Sequence, residues 1–161
     1  MKAIYAGTFD PITMGHVDIL SRASRCFQRI IWAIAQSTKK QTMLTLRQRF
    51  VCAQEVAQRW PNVKVCTFDG LLKDFAQRQQ IHILLRGVRN AVDVSMEMQL
   101  AGMNRSLAPD LETFLLPSSA RWQYVSSSVV RELLHFGDQE YLQYVPNRIH
   151  HLLNLFLTKE K

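Results

Sequence analysis

An α/β fold, a five-stranded parallel sheet with helices on both faces, is what this sequence predicts. Short apolar runs rich in β-branched residues alternate with longer segments of helical period. The residues suited to binding a ligand gather in turns that follow those runs, where open α/β sheets collect their ligands. Strands are predicted at residues 3–6, 30–35, 63–68, 81–85 and 113–116.

The first strand runs into the turn-rich Gly7-Thr8-Phe9-Asp10-Pro11-Ile12-Thr13-Met14-Gly15-His16. A helix over residues 17–27 follows, with Leu20, Ala23 and Phe27 on one face. A helix entered from a strand offers free N–H groups and a positive dipole end to phosphate. An isolated Gly-His pair would be a turn that packs; two glycines, two threonines and a histidine together point to a nucleotide site. The spacing is neither the P-loop G-x-x-x-x-G-K-S/T nor the dinucleotide G-x-G-x-x-G.

After the second strand, Ser37-Thr38-Lys39-Lys40-Gln41 offers two flexible point charges. Thr45-Leu46-Arg47-Gln48 has capping-box spacing and predicts a helix start, and Pro61 predicts that this helix stops before it. The fourth strand delivers Arg86-Gly87-Val88-Arg89 to the sheet edge, two guanidinium forks suited to phosphate. Met96, Leu100, Met103 and Leu107 recur at helical spacing and read as a core-facing stripe rather than a binding groove.

Beyond the fifth strand, Trp122-Gln123-Tyr124-Val125-Ser126-Ser127-Ser128 precedes a helical 129–134. One serine suffices to cap a helix; three place hydroxyls and backbone N–H groups where a polyphosphate can sit. Pro146 suits the first turn of a last helix with an apolar stripe of Ile149, Leu152, Leu153 and Phe156.

The 161 residues fit one domain, residues 1–161. A formal charge of +7 favours anionic partners, namely nucleotides, nucleic acids or acidic membrane surfaces. No basic stripe interleaved with aromatics supports a nucleic-acid binder. The longest apolar run, Ile30 to Ala35, is six residues, and the N-terminus lacks a signal-peptide core, so a soluble cytoplasmic protein without membrane partner is expected. Cys26, Cys52 and Cys66 form neither a disulfide framework nor a zinc motif, and His82, His135, His150 and His151 have no metal-site spacing.

In combination these segments resemble the bacterial phosphopantetheine adenylyltransferases of the nucleotidylyltransferase superfamily. The likeness rests on G-T-F-D-P at residues 7–11, T-x-G-H at 13–16, R-G-x-R at 86–89 and S-S-S at 126–128, and it spans almost the whole chain. It departs from the family's F-E-Y-E at Val94-Ser95-Met96-Glu97. The resemblance implies a Rossmann-like sheet and transfer of the adenylyl group of ATP to 4′-phosphopantetheine, giving dephospho-coenzyme A and pyrophosphate. It implies His16, Lys40 and Arg86 as catalytic residues. Thr8, Lys40, Leu72 and Arg86 fall to the acceptor; Thr8, Phe9, His16, Gly87, Val88, Arg89, Glu97 and the segment Trp122, Gln123, Tyr124, Val125, Ser126, Ser127, Ser128 fall to ATP. It further implies Mg²⁺ on the triphosphate without a protein metal site, coenzyme A as a feedback ligand, and a homohexamer. Other nucleotidylyltransferases, acting on nicotinate mononucleotide or glycerol phosphate, are the nearest alternatives.

Overall fold

A computed structural model describes residues 1–36 and 41–158. In chain order the elements are β1 (Lys2–Gly7), α1 (Met14–Cys26), β2 (Arg29–Ala35), α2 (Leu46–Ala57), β3 (Val63–Phe68), α3 (Leu72–Gln79), β4 (Ile83–Val88), α4 (Ala91–Leu107), β5 (Glu112–Pro117), α5 (Ser127–His135) and α6 (His150–Thr158). The five strands form one parallel sheet in the order β3-β2-β1-β4-β5.

The central strands are apolar throughout because both of their faces are covered. Ala3, Tyr5, Ile30, Trp32 and Ile34 join a core with Leu20 of α1, Ala53 of α2, Val130 of α5 and Leu153 of α6. Ile4, Ala6, Ile31 and Ala33 point the other way and meet Phe75 and Ala76 of α3. Among the described residues, no helix is long and apolar enough to cross a membrane.

The predicted helix ends hold well where capping chemistry set them. Thr45 and Gln48 form the reciprocal box, with Gln48 N–H to Thr45 Oγ1 at 3.3 Å and Thr45 N–H to Gln48 Oε1 at 2.7 Å, and α2 ends at Ala57 before Pro61. Ile149 and Leu153 are fully buried, although Asn147–Ile149 is a 3-10 turn that leads into α6. Three expectations need correction. The strand predicted over 81–85 lies at Ile83–Val88, because Ile81 closes α3 instead. Gln80 adopts φ 54° there, and the Ile81 N–H returns to the Ala76 carbonyl, a helix-end contact that buries an apolar residue. Helix α3 was not anticipated; it is short and polar, with Phe75 and Ala76 its buried residues.

The third correction concerns α4. Met96, Leu100, Met103 and Leu107 are each 41–59% exposed, and none of the residues of α4 is buried. Helical spacing reports an apolar face, not what covers it; here Leu100, Met103 and Leu107 line an open cavity together with Leu84 and Thr113 of the sheet. What fastens the start of α4 to the sheet is ionic.

The topology places a crevice. β1 departs toward β2, whereas the chain returns on the other side as β4, so the switch point lies between β1 and β4. These two strands pair only at Ile4–Leu84 and Tyr5–Leu85, against six register pairs for each other neighbouring couple. Beyond Tyr5 and Leu85 the strands part, and Arg86 donates across the gap from its Nη1 to the Ala6 carbonyl.

Candidate active site

A cavity of about 430 Å³ opens at this split, at the carboxyl end of the sheet. The loop after β1 forms its floor. Phe9 is buried at φ 52°, a left-handed backbone that a bulky residue adopts only when its surroundings enforce it. The enforcing contacts are edge-to-face packings on Tyr5, His16 and Trp32 at centroid distances of 5.2, 5.0 and 5.4 Å. Gly7 is required beneath it, since a Cβ there would stand 3.0 Å from Phe9 Cζ.

The T-x-G-H motif is a capping box in which histidine takes the usual place of glutamate. His16 N–H reaches Thr13 Oγ1 at 3.5 Å, and the Thr13 backbone N–H donates to His16 Nδ1 at 3.0 Å. A backbone donor on Nδ1 fixes the tautomer: the proton of the neutral ring sits on Nε2. Burial, followed by the charges of Arg89 and Arg86, pushes the imidazole pKa down to about 4. His16 therefore lines the cavity at neutral pH as an uncharged N–H donor.

This depression carries a signed consequence for stability. Between pH 6.5 and about 4 the unfolded chain takes up a proton on His16 that the folded chain refuses, so stability is complete above 6.5 and falls with pH through that window. The loss is on the order of 3 kcal/mol. Urea unfolding at pH 7 and pH 4 measures it, and His16→Gln should show a shallower acid loss by that amount.

Asp10 and Arg49 brace the loops around the cavity. Asp10 is buried and accepts from the N–H groups of Met43 and Leu44, both at 2.8 Å. Arg49 is 1% exposed and donates to the carbonyls of Leu44 (3.1 Å), Thr8 (2.8 Å) and Ala35 (2.8 Å). One guanidinium thus joins the ends of β1 and β2 to the start of α2.

The two expected arginines are gripped by α4. Arg86 pairs in a two-pronged contact with Glu97, Nε to Oε2 at 2.8 Å and Nη2 to Oε1 at 2.6 Å. Arg89 does the same with Asp93, at 2.8 and 3.1 Å, and this pairing holds the Asp93 carboxyl below its usual pKa. Gly87 lies between them, where a Cβ would meet Ile19 at 3.0 Å.

Helix α5 closes the opposite wall. Ser126 caps it by accepting from Val129 N–H at 3.1 Å, Ser127 donates to the Pro11 carbonyl at 2.8 Å, and Ser128 accepts from Arg131 at 3.1 Å. The first-turn N–H groups of Ser127 and Ser128 are left for a ligand. A second, narrower cavity of about 190 Å³ lies under α4, lined by Leu72, Leu100, Met103 and Leu107. Arg86 and Glu97 belong to both cavities and form the wall between them.

Of the expected site residues, Thr8, Phe9, His16, Arg86, Gly87, Val88, Arg89, Glu97, Val125, Ser126, Ser127 and Ser128 line the main cavity. Leu72 lines the second. Trp122, Gln123 and Tyr124 line neither, and Tyr124 is 87% exposed. Lys40 lies outside the described residues. Sequence reasoning gave Asp10 no role of its own within the candidate loop, and it missed Arg49, Asp93 and Arg131. A signal existed for Arg49, a cation on the buried face of α2 defined by Cys52, Ala53 and Val56, and for Arg131, one turn after Ser128.

Among the described residues, no group of three or more His, Cys, Asp or Glu side chains could hold a metal ion. The cavity carboxylates Asp10, Asp93 and Glu97 already accept from N–H donors.

The cytidylyltransferase-like family profile matches residues 4–133. A phosphopantetheine adenylyltransferase of Sodalis glossinidius (strain morsitans) is 49% identical over 147 residues, covering 90% of this chain and 91% of the relative. One of Nitrosospira multiformis is 46% identical over 136 residues, covering 84% and 82%. Among solved structures, a Plasmodium falciparum nicotinic acid mononucleotide adenylyltransferase complexed with NaAD matches with TM-score 0.69 over 98% of this chain and 97% of its own, at 17% identity. At that identity the likeness is one of fold, a Rossmann-like α/β sheet.

Proposed function

We infer that this chain, which belongs to the phosphopantetheine adenylyltransferases within the cytidylyltransferase-like family, transfers the adenylyl group of ATP to 4′-phosphopantetheine and so serves coenzyme A biosynthesis. The observation that carries the residue-level reading is the pair of cavities sharing Arg86. The larger cavity has the polarity a nucleotide triphosphate needs. The narrower one, walled by leucines and methionine, suits the slender pantetheine arm, with Arg86 where its phosphate would meet the nucleotide.

The acceptor phosphate is anionic at neutral pH, so the reaction needs no general base. One of its oxygens bonds to the α-phosphorus, the bond from that phosphorus to the bridging oxygen breaks, and pyrophosphate leaves with the electron pair. Positioning and charge stabilisation are the protein's tasks. In this reading Arg86, Thr8 and Lys40 orient the acceptor. The Nε2–H of His16 donates to the α-phosphate, and Arg89, Arg131 and the α5 N–H groups hold the departing phosphates. The site residues suit a Mg²⁺ carried in by the triphosphate rather than a resident ion, and such an ion would screen phosphate charge.

Coenzyme A contains the same pantetheine arm and would compete for the acceptor cavity, as the feedback reading requires. A cytoplasmic homohexamer is the assembly proposed, and it would cover Val92 and Met98 of α4, which are exposed and line neither cavity.

Arg86→Ala should raise the KM for 4′-phosphopantetheine by about 10- to 100-fold, the loss of a charge-assisted partner worth about 1.5–3 kcal/mol, with Lys restoring part of it. Steady-state kinetics at saturating ATP reads this directly, with dephospho-coenzyme A identified by mass. An unchanged KM removes Arg86 from the acceptor site.

A further inference from the structure

We propose that Asp93 is a positioning residue for the nucleotide, acting through Arg89; this rests on the reading that the main cavity takes ATP. Three contacts fix Arg89 at both ends: Nε to Oδ2 at 2.8 Å, Nη2 to Oδ1 at 3.1 Å, and the Arg89 backbone N–H to Oδ2 at 3.0 Å. Asp93 is itself fixed, since its N–H donates to the Asn90 side chain that caps α4, at 2.9 Å. The carboxylate occupies one edge of the guanidinium fork and leaves the rest of a planar, pre-aimed donor set for phosphate. Glu97, one turn on along α4, holds Arg86 by the same two-pronged contact. The start of α4, which buries no side chain of its own, thus serves as a rack for the two arginines.

Other roles for Asp93 predict different results. An acid that only stabilises the start of a helix would change melting temperature and leave ATP affinity alone. A negative charge that merely repels the triphosphate would, on removal, make ATP bind more tightly. A positioning role requires weaker binding, because a freed arginine must be ordered each time ATP binds.

Isothermal titration of ATP with Mg²⁺ into the full chain separates these. Asp93→Asn is expected to weaken ATP by about 3- to 10-fold, the cost of ordering one mobile long side chain. Asp93→Glu, which keeps the charge but displaces the carboxylate, should also weaken it. In an Arg89→Ala background, Asp93→Asn should add nothing, since a residue that acts through another falls silent once that residue is gone. Unchanged or tighter ATP binding by Asp93→Asn overturns the proposal, as does a full multiplicative loss in the double variant. ATP binding needs no acceptor, so failure to adenylylate 4′-phosphopantetheine would sink the functional reading and leave this result standing; a wild-type chain that binds no ATP sinks both.

Discussion

His16→Ala is expected to lower kcat by roughly 10²–10³, about 3–4 kcal/mol of transition-state stabilisation, while ATP still binds. The ring is a neutral donor, with Nδ1 tied to the Thr13 backbone and its pKa held at about 4, so its proton is available on Nε2 throughout the neutral range. Charge on the α-phosphate grows between bound ATP and the transition state, and a donor aimed at growing charge acts on turnover more than on binding. The alanine variant also loses the capping box, about 1 kcal/mol of stability, and a second variant isolates that loss. Gln is the ordinary residue at this position of a capping box. His16→Gln should keep a melting temperature near that of the wild type yet remain slow, since a side chain reaching back to Thr13 cannot also serve the nucleotide. Near-normal kcat in folded His16→Ala would remove the catalytic role.

Arg49→Met should be the most destabilising single change around the site. The guanidinium is fully buried and donates to three carbonyls from three segments, Thr8, Ala35 and Leu44. Methionine fills similar length but leaves those three acceptors unpaired in the interior, a loss of about 3–5 kcal/mol. For a chain of this size that lowers the melting temperature by roughly 10 °C. Differential scanning calorimetry checks it; a drop below about 3 °C would mean that the loops are held by other contacts.

Strand positions were legible wherever local chemistry and burial agree. β1 and β2 are apolar on every residue that both cores cover, and the box at Thr45 sets a helix start by side-chain hydrogen bonds that spacing alone reveals; the box at Thr13 falls in what the sequence presents as a turn, and it starts α1 at Met14 rather than at the expected residue 17. Legibility failed where the deciding contact is distant. Ile81 is as β-branched as a strand residue, but a left-handed Gln80 hands it to the end of α3. The stripe of α4 has helical period, yet no period says whether a sheet, a ligand or another chain lies against it. For the site, motifs located the loops that line the main cavity. They did not reveal Asp93 behind Arg89, because an acid in the first turn of a helix is ordinary in sequence and acquires its role only from the arginine standing opposite; the resemblance names Glu97, but not its pairing with Arg86.

Pyrophosphate release from ATP in the presence of a series of phosphate acceptors tests the central claim most directly. Release should depend on 4′-phosphopantetheine, with one dephospho-coenzyme A formed per pyrophosphate, and nicotinate mononucleotide should not replace it. Release driven by nicotinate mononucleotide and not by 4′-phosphopantetheine would contradict the assignment while leaving adenylyl transfer as the reaction.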